Sequence, residues 1–447
     1  MKPKSGPGKV IFLISFVWLA VLTAFTIGVY VYAAKKWPYP LIAEIEKFVA
    51  GDKEETKTLV EKVKNDLNFK PTRHIISSQR EDLFSGKYTP LADLPVKARR
   101  SKPLIFLSPK APEGYRLIYG AFDMEKSFHG AILLNKQGEV SHHWNISQEN
   151  VAWDHRPDKN VFPHGIEVAR DGSIVVAYDS GNSLTRYDYC SEVVWQLKGN
   201  FHHSVAFDND NSIWAWGIAG KEKGYGMNLT KVDYGSGEVL KSFPLQAVME
   251  ANPDIDIFSI LQVDSKTGSE WVPDRWHPND IEPLPEAWID NYPDFQAGDL
   301  LVSLRSPDLI FVINPDTLEV KWWRQGLARR PHDPDWNSKG TISIFNNNMH
   351  RGFSSIVEID PVSYRHKTLV DGEKYDFYTW HQGKHQVLDT NGVLVTSPQQ
   401  GWVFETDESG EIVFEFLNYY GGKKEFIKVS EARFLPTNFF KELPVCR

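Results

Sequence analysis

The sequence predicts an all-β fold, a six-bladed β-propeller closed by a clasp between the first and last parts of the domain. A single transmembrane helix and a short helical stalk precede it. Three observations carry this. Residues 10–34 form an apolar run without a charge. From residue 103 onward, β-branched and aromatic runs alternate with Gly, Asp and Asn turns. Within that region one frame recurs: a histidine, an apolar or aromatic residue four positions on, Gly or Asn eight positions on, then a β-rich run.

In chain order, the run at 10–34 comes first. It is long enough to cross a bilayer as a tilted helix. A cleaved signal peptide has a shorter apolar core and a small-residue cleavage site, which Val31-Tyr32-Ala33 matches poorly. An uncleaved signal anchor is therefore expected, with Lys2, Lys4 and Lys9 before it and Lys35 and Lys36 after it. Most of the chain follows the span. That places the N-terminus in the cytoplasm and the large domain outside the inner (cell) membrane, facing the periplasm or exterior. Residues 35–102 are expected to be stalk and linker. Pro38 and Pro40 break the helix. Apolar residues within 41–67 recur at helical spacing, which suits a helix packed on its own domain or one that pairs with a second copy or a partner protein. Residues 71–103 read as linker or loose cover.

The propeller is expected over 103–447. One repeat divides into strands at 164–168, 173–178, 183–187 and 192–197, with Asp171-Gly172 suited to a tight hairpin. Segment 115–144 supplies three strands but no leading histidine strand, and 432–436 is a lone strand. Joined, they make one composite blade beside five full repeats, which removes the free sheet edges.

The formal net charge of -8 counts against a nucleic-acid partner. Two cysteines, Cys190 and Cys446, exclude a disulfide framework but leave one bridge open in an oxidising compartment. The first strand of a propeller blade lines the central channel, so His164, His203, His277, His332 and His385 are expected to form a ring. A repeated polar residue can bond across blades, but histidine titrates near neutrality and so also suits chemistry. No HxH or HExxH spacing occurs, and neither a metal nor a cofactor is expected.

These residues resemble the bacterial aryl sulfate sulfotransferases (arylsulfotransferases), periplasmic six-bladed propellers that act without a nucleotide sulfate donor. The family's channel His-x-Asn is similar to His277-Pro278-Asn279. Its Ser-x-Arg on the following strand is similar to Ser303-Leu304-Arg305. Its sulfated histidine is similar to His332, followed by Gly340 and Phe345-Asn346-Asn347-Asn348. A further family histidine is similar to His203. The family's Phe-Asp-Asn-Gly is Phe-Asn-Asn-Asn here, and Thr379, His381 and His385 compete for the last blade's polar contact.

The resemblance implies sulfuryl transfer from an aryl sulfate donor to a phenolic or other hydroxyl acceptor. Such chemistry asks for a neutral nucleophile that is also a fair leaving group, and imidazole at His332 meets both conditions. Arg305 and Asn279 would face the sulfuryl oxygens. His277 and His203 would handle protons. His164, His385 and Thr379 are expected to contact substrate. Trp276, Trp322, Trp323 and Trp380 offer aromatic walls. Two alternatives stay open at this stage: a non-catalytic docking subunit of a membrane-bound assembly, and a quinone- or metal-dependent propeller enzyme.

Overall fold

In the computed structural model, residues 7–34, 86–91, 103–123, 128–146, 162–179, 183–220, 227–255, 276–349, 351–420, 425–441 and 445–446 are described. The chain divides into two units, Met1–Lys70 and Pro71–Arg447. In the first, helix α1 runs over Pro7–Ala34. Its side chains are described at 15–27 and 30, all exposed. Among the described residues no helix is long and apolar enough to cross a membrane, so the expected span is not shown. The stalk helix expected over 41–67 lies outside the described residues.

The second unit is all-β and propeller-like. Among the described residues, three sheets have four antiparallel strands, one has six, one has seven and a small one has two. Six strands lie innermost: β1 (Phe162–Val168), β2 (Val193–Phe207), β3 (Pro278–Pro283), β4 (Pro331–Trp336), β5 (Lys384–Val387) and β6 (Val429–Pro436). Each touches the next, and β6 returns to β1. Strand β2 is long because it serves two sheets. Its first half pairs with Ser183–Tyr187, and its second half pairs with Ser212–Ala219.

Period-two side-chain alternation builds the core. Every residue of Leu300–Leu304 and Leu309–Ile313 is buried. Leu300, Val302, Leu304, Leu309, Phe311 and Ile313 pack toward Trp214, Trp216 and Leu229 of the preceding sheet. Leu301, Ile310 and Val312 point the other way, onto Ile342, Ile344 and Ile359 of the next. Other clusters fill the remaining inter-sheet spaces in the same manner. Two of the tryptophans proposed as substrate walls belong to this packing. Trp276 and Trp322 are buried in it, while Trp323 is exposed.

The chain is closed from both directions. β6 pairs with Gly114–Asp123, as the composite-blade reading expects. Leu104–Leu107 also joins the last sheet, against Ile412–Leu417, with Thr89–Pro90 outside it. The segment before residue 103 thus carries an edge strand where the sequence suggested only linker. Arg116 and Glu405, both fully buried, form a paired hydrogen bond that ties these two sheets together. The Cys190–Cys446 disulfide adds a covalent link across 256 residues of sequence.

Candidate functional site

The ladders of the inner strands are interrupted where the predicted residues sit. Pairing skips His164 in β1, His203 and Ser204 in β2, Asn279 in β3, Asp333 and Pro334 in β4, and Ser430 in β6. Such bulges re-aim side chains out of the pleat. His203, His277 and Asp333 have φ of +63, +48 and +50°, a region that non-glycine residues seldom occupy and that clusters at functional sites. Gly165 allows the close approach of β1 to β2, because a Cβ there would collide with the His203 carbonyl oxygen.

Four predicted histidines, His164, His203, His277 and His332, converge. The His164 and His203 rings lie 3.9 Å apart, and His203 and His277 lie 5.3 Å apart, edge to face. Arg305 Nη1 donates to His277 Nε2 at 3.1 Å. A guanidinium cannot accept, so the His277 proton sits on Nδ1. His332 Nδ1 donates to the Arg330 carbonyl at 3.1 Å, which fixes the lone pair on Nε2, where the Gln382 N–H meets it at 3.2 Å. Burial and then the Arg305 charge hold the His332 pKa well below the ordinary histidine value, so the ring is neutral. Burial and neighbouring histidines lower His203 likewise, and burial with Lys428 lowers His164. Asn279 donates to the Pro331 carbonyl at 2.7 Å, and its buried Oδ1 has no partner among the described residues.

Sequence reasoning missed His202 and Lys428, and it named His381 only as a candidate for the last blade's polar contact. His202 Nδ1 lies 2.7 Å from His203 Nδ1, so one ring donates and the other accepts. Lys428 adds a second cation whose charge reaches His164 and His381. His381 is driven down to about 3 by burial and these cations. Its Nδ1 accepts from Gln399, and its ring contacts Trp380 edge-on at 3.8 Å. Asn347 of the Phe-Asn-Asn-Asn segment donates to the Thr379 and Gln382 carbonyls, pinning the 379–382 loop over His332. Thr379, fully buried, donates its hydroxyl to the His381 carbonyl at 2.9 Å. It orders this loop.

His385 stands apart. Its Nδ1 faces Asp333 at 3.0 Å and its Nε2 faces Ser343 at 2.7 Å. β5 lacks the bulge, and Lys384 takes the ladder position that His332 holds in β4. A shift of one residue turns a side chain to the other face. Lys384 instead bonds Asp280 at 3.2 Å and Asp333 at 2.6 Å.

These contacts belong to a second group, whose carboxylates lie further along β1, β3 and β4 than the histidines. Glu167, Glu282 and Asp335 sit in register, each opposite the second residue of the neighbouring strand. The histidine frame could have found them, since Glu167 and Asp335 each follow a ring histidine by three residues. Arg433 pairs with Glu167 at 3.0 Å and Glu431 at 2.7 Å. Burial, aided by neighbouring carboxylates, raises Glu282 and Asp335 well above the carboxylate range. Asp280 rises to about 6, again by burial. Asp333 overcomes burial through Lys384 and His385 and stays low. A cavity of about 450 Å³ opens at this acidic end, lined by Glu282, Asp333, Asp335 and His385 among others.

The histidine end thus presents neutral imidazoles beside fixed cations, an arrangement that receives anionic oxygens and a transferable group. Among solved structures, the chain is similar to a protein of unknown function from Bacteroides caccae at 13% identity and TM-score 0.46, over 72% of this chain and 99% of that one. It is also similar to virginiamycin B lyase from Staphylococcus aureus, at 12% identity and TM-score 0.33, over 56% and 69%. BamB from Moraxella catarrhalis gives 12% identity and TM-score 0.32, over 69% and 71%. A search of curated proteins finds no match. A family model described as Arylsulfotransferase (ASST) matches residues 171–419, more than half of the sequence, and the chain belongs to that family of sulfotransferase-type enzymes.

Proposed function

We propose that the protein moves a sulfuryl group from an aryl sulfate donor to a hydroxyl acceptor through a covalent sulfohistidine at His332. The observation that carries this reading is the state of His332: buried, neutral, with its Nδ1 proton committed to the Arg330 carbonyl. In the first step Nε2 attacks sulfur, the sulfur–oxygen bond to the aryl group breaks, and the phenolate leaves. In the second, the acceptor hydroxyl attacks sulfur, the Nε2–sulfur bond breaks, and the hydroxyl proton passes to a base. The Gln382 N–H has to yield the Nε2 lone pair before attack, and it then lies beside the sulfuryl oxygens as a donor. Arg305 and Lys428 offset the charge on those oxygens. The His202–His203 pair suits the proton steps, because one Nδ1–H is shared between two rings. His277 is held by Arg305 and orients it.

The scaffold in this reading is a six-bladed ring. Dividing the seven-stranded sheet at β2 into two four-strand units supports the count. We also place the domain in an oxidising compartment, tethered by α1 to the cell membrane. The Cys190–Cys446 bridge and the uncharged run at 10–34 support this. One observation favours the docking-subunit alternative: both His332 ring nitrogens already have partners, as in a structural histidine. Intact-mass analysis after exposure to 4-nitrophenyl sulfate separates the two. One added SO3 group, lost on adding phenol, supports transfer. An unchanged mass with no release of nitrophenolate refutes it.

A further inference from the structure

The acidic group holds more carboxylates than its cations match. Lys384 is bonded to Asp280 and Asp333, and Arg433 to Glu167 and Glu431. Glu282 and Asp335 are left over. Among the described residues, the Glu282 carboxylate accepts no hydrogen bond and forms no ion pair. Asp335 faces His385 Nε2 at 3.8 Å. Asp280 has no exposed surface, and among the described residues its Oδ2 accepts no hydrogen bond. One oxygen from each of Asp280, Glu282 and Asp335 lies within 4.8 Å of the others. Glu282 and Asp335 line the 450 Å³ cavity, which leaves room for water ligands.

We propose that Asp280, Glu282 and Asp335 bind a hard divalent cation, Ca²⁺ foremost, at the end of the inner strands opposite the histidines. Three carboxylates completed by water suit an oxygen-seeking ion with a flexible coordination number. Asp333, Asp335 and His385 are equally close together, but both His385 nitrogens are already engaged by Asp333 and Ser343. The proposed ion joins β3 to β4, so it fastens two neighbouring sheets and takes no part in group transfer.

Tb³⁺ is the probe, because Trp288 and Trp336 line the cavity and can sensitise its luminescence. The detergent-solubilised full chain should bind Tb³⁺ with tryptophan-excited emission that Ca²⁺ displaces. Its Tm should climb with the logarithm of Ca²⁺ concentration. E282Q and D335N should each remove the Ca²⁺-dependent rise and raise the Tm measured in chelator. Absence of both emission and Tm rise in the wild type at millimolar Ca²⁺ overturns the proposal without recourse to variants. So does a Ca²⁺ response that persists in E282Q/D335N. A response to Zn²⁺ but not Ca²⁺ overturns the choice of a hard cation.

Discussion

The two ends of the inner strands solve opposite electrostatic problems with the same backbone. On one side, histidines stand near Arg305 and Lys428, and burial holds His164, His203 and His332 well below the ordinary histidine value. On the other, carboxylates surround Lys384 and Arg433, and burial pushes Glu282 and Asp335 well above the usual carboxylate range. Between the two groups the bulges change which way side chains point. His332 and Asp333 are sequence neighbours, yet one belongs to the first group and the other to the second. A bulged ladder can therefore keep a reactive neutral ring beside a charged network without merging them.

The sharpest way to break this comparison is at His332. His332→Ala should abolish sulfuryl transfer and covalent labelling alike, whereas Glu282→Gln should leave both near the parent level. Transfer at the parent rate in His332→Ala would make that histidine structural. Next in size is Lys384→Met, which leaves Asp280 and Asp333 buried without their cation. Loss of one partner from a buried pair costs about 3–5 kcal/mol, to be read from urea unfolding. A loss under about 1 kcal/mol, the range of a surface pair, would show that water already screens the acidic end.

Arg305→Lys keeps the charge but loses the fork that reaches His277. Turnover should fall about 10²-fold, with labelling still detectable. Unchanged turnover would mean that charge alone matters there.

The smallest effect concerns pH. His164, His203 and His332 have folded-state values below the ordinary 6.5. The unfolded chain therefore takes up more protons as pH falls past that value. Their contribution to stability is complete above pH 6.5 and is lost as pH drops below it. Single His→Ala changes at His164 should weaken this acid-side decline by on the order of 1 kcal/mol. Activity at fixed substrate should persist below pH 6.5, because His332 stays unprotonated there. A transfer profile that collapses at the ordinary histidine value would contradict its burial beside Arg305.

What was legible in the sequence follows from periodicity. Strand runs such as Leu309–Ile313 and the composite sheet made with β6 could be read because alternation and turn residues are local signals. The bulges could not, since an extra residue leaves the composition of a strand unchanged. That is why His385 was grouped with His332 when Lys384 holds the matching ladder position. Residue type alone likewise does not tell a substrate contact from a loop or core position at Thr379 and the tryptophans. The Thr379 hydroxyl is used by its own loop, and Trp276 and Trp322 fill inter-sheet cores. The acidic group shares the repeat frame, with Glu167 and Asp335 each three residues after a ring histidine.

The disulfide has one more consequence. Cys190 lies in the turn before β2 and Cys446 beyond β6, so the bond makes residues 190–446 a covalent macrocycle that contains β2 through β6. A protease that cuts once anywhere inside that loop sheds nothing. The nicked chain should migrate as one species without reductant and separate into two only when the bond is opened. Damage to any single connection in that stretch then remains local, because the two fragments stay joined through the Cys190–Cys446 bond.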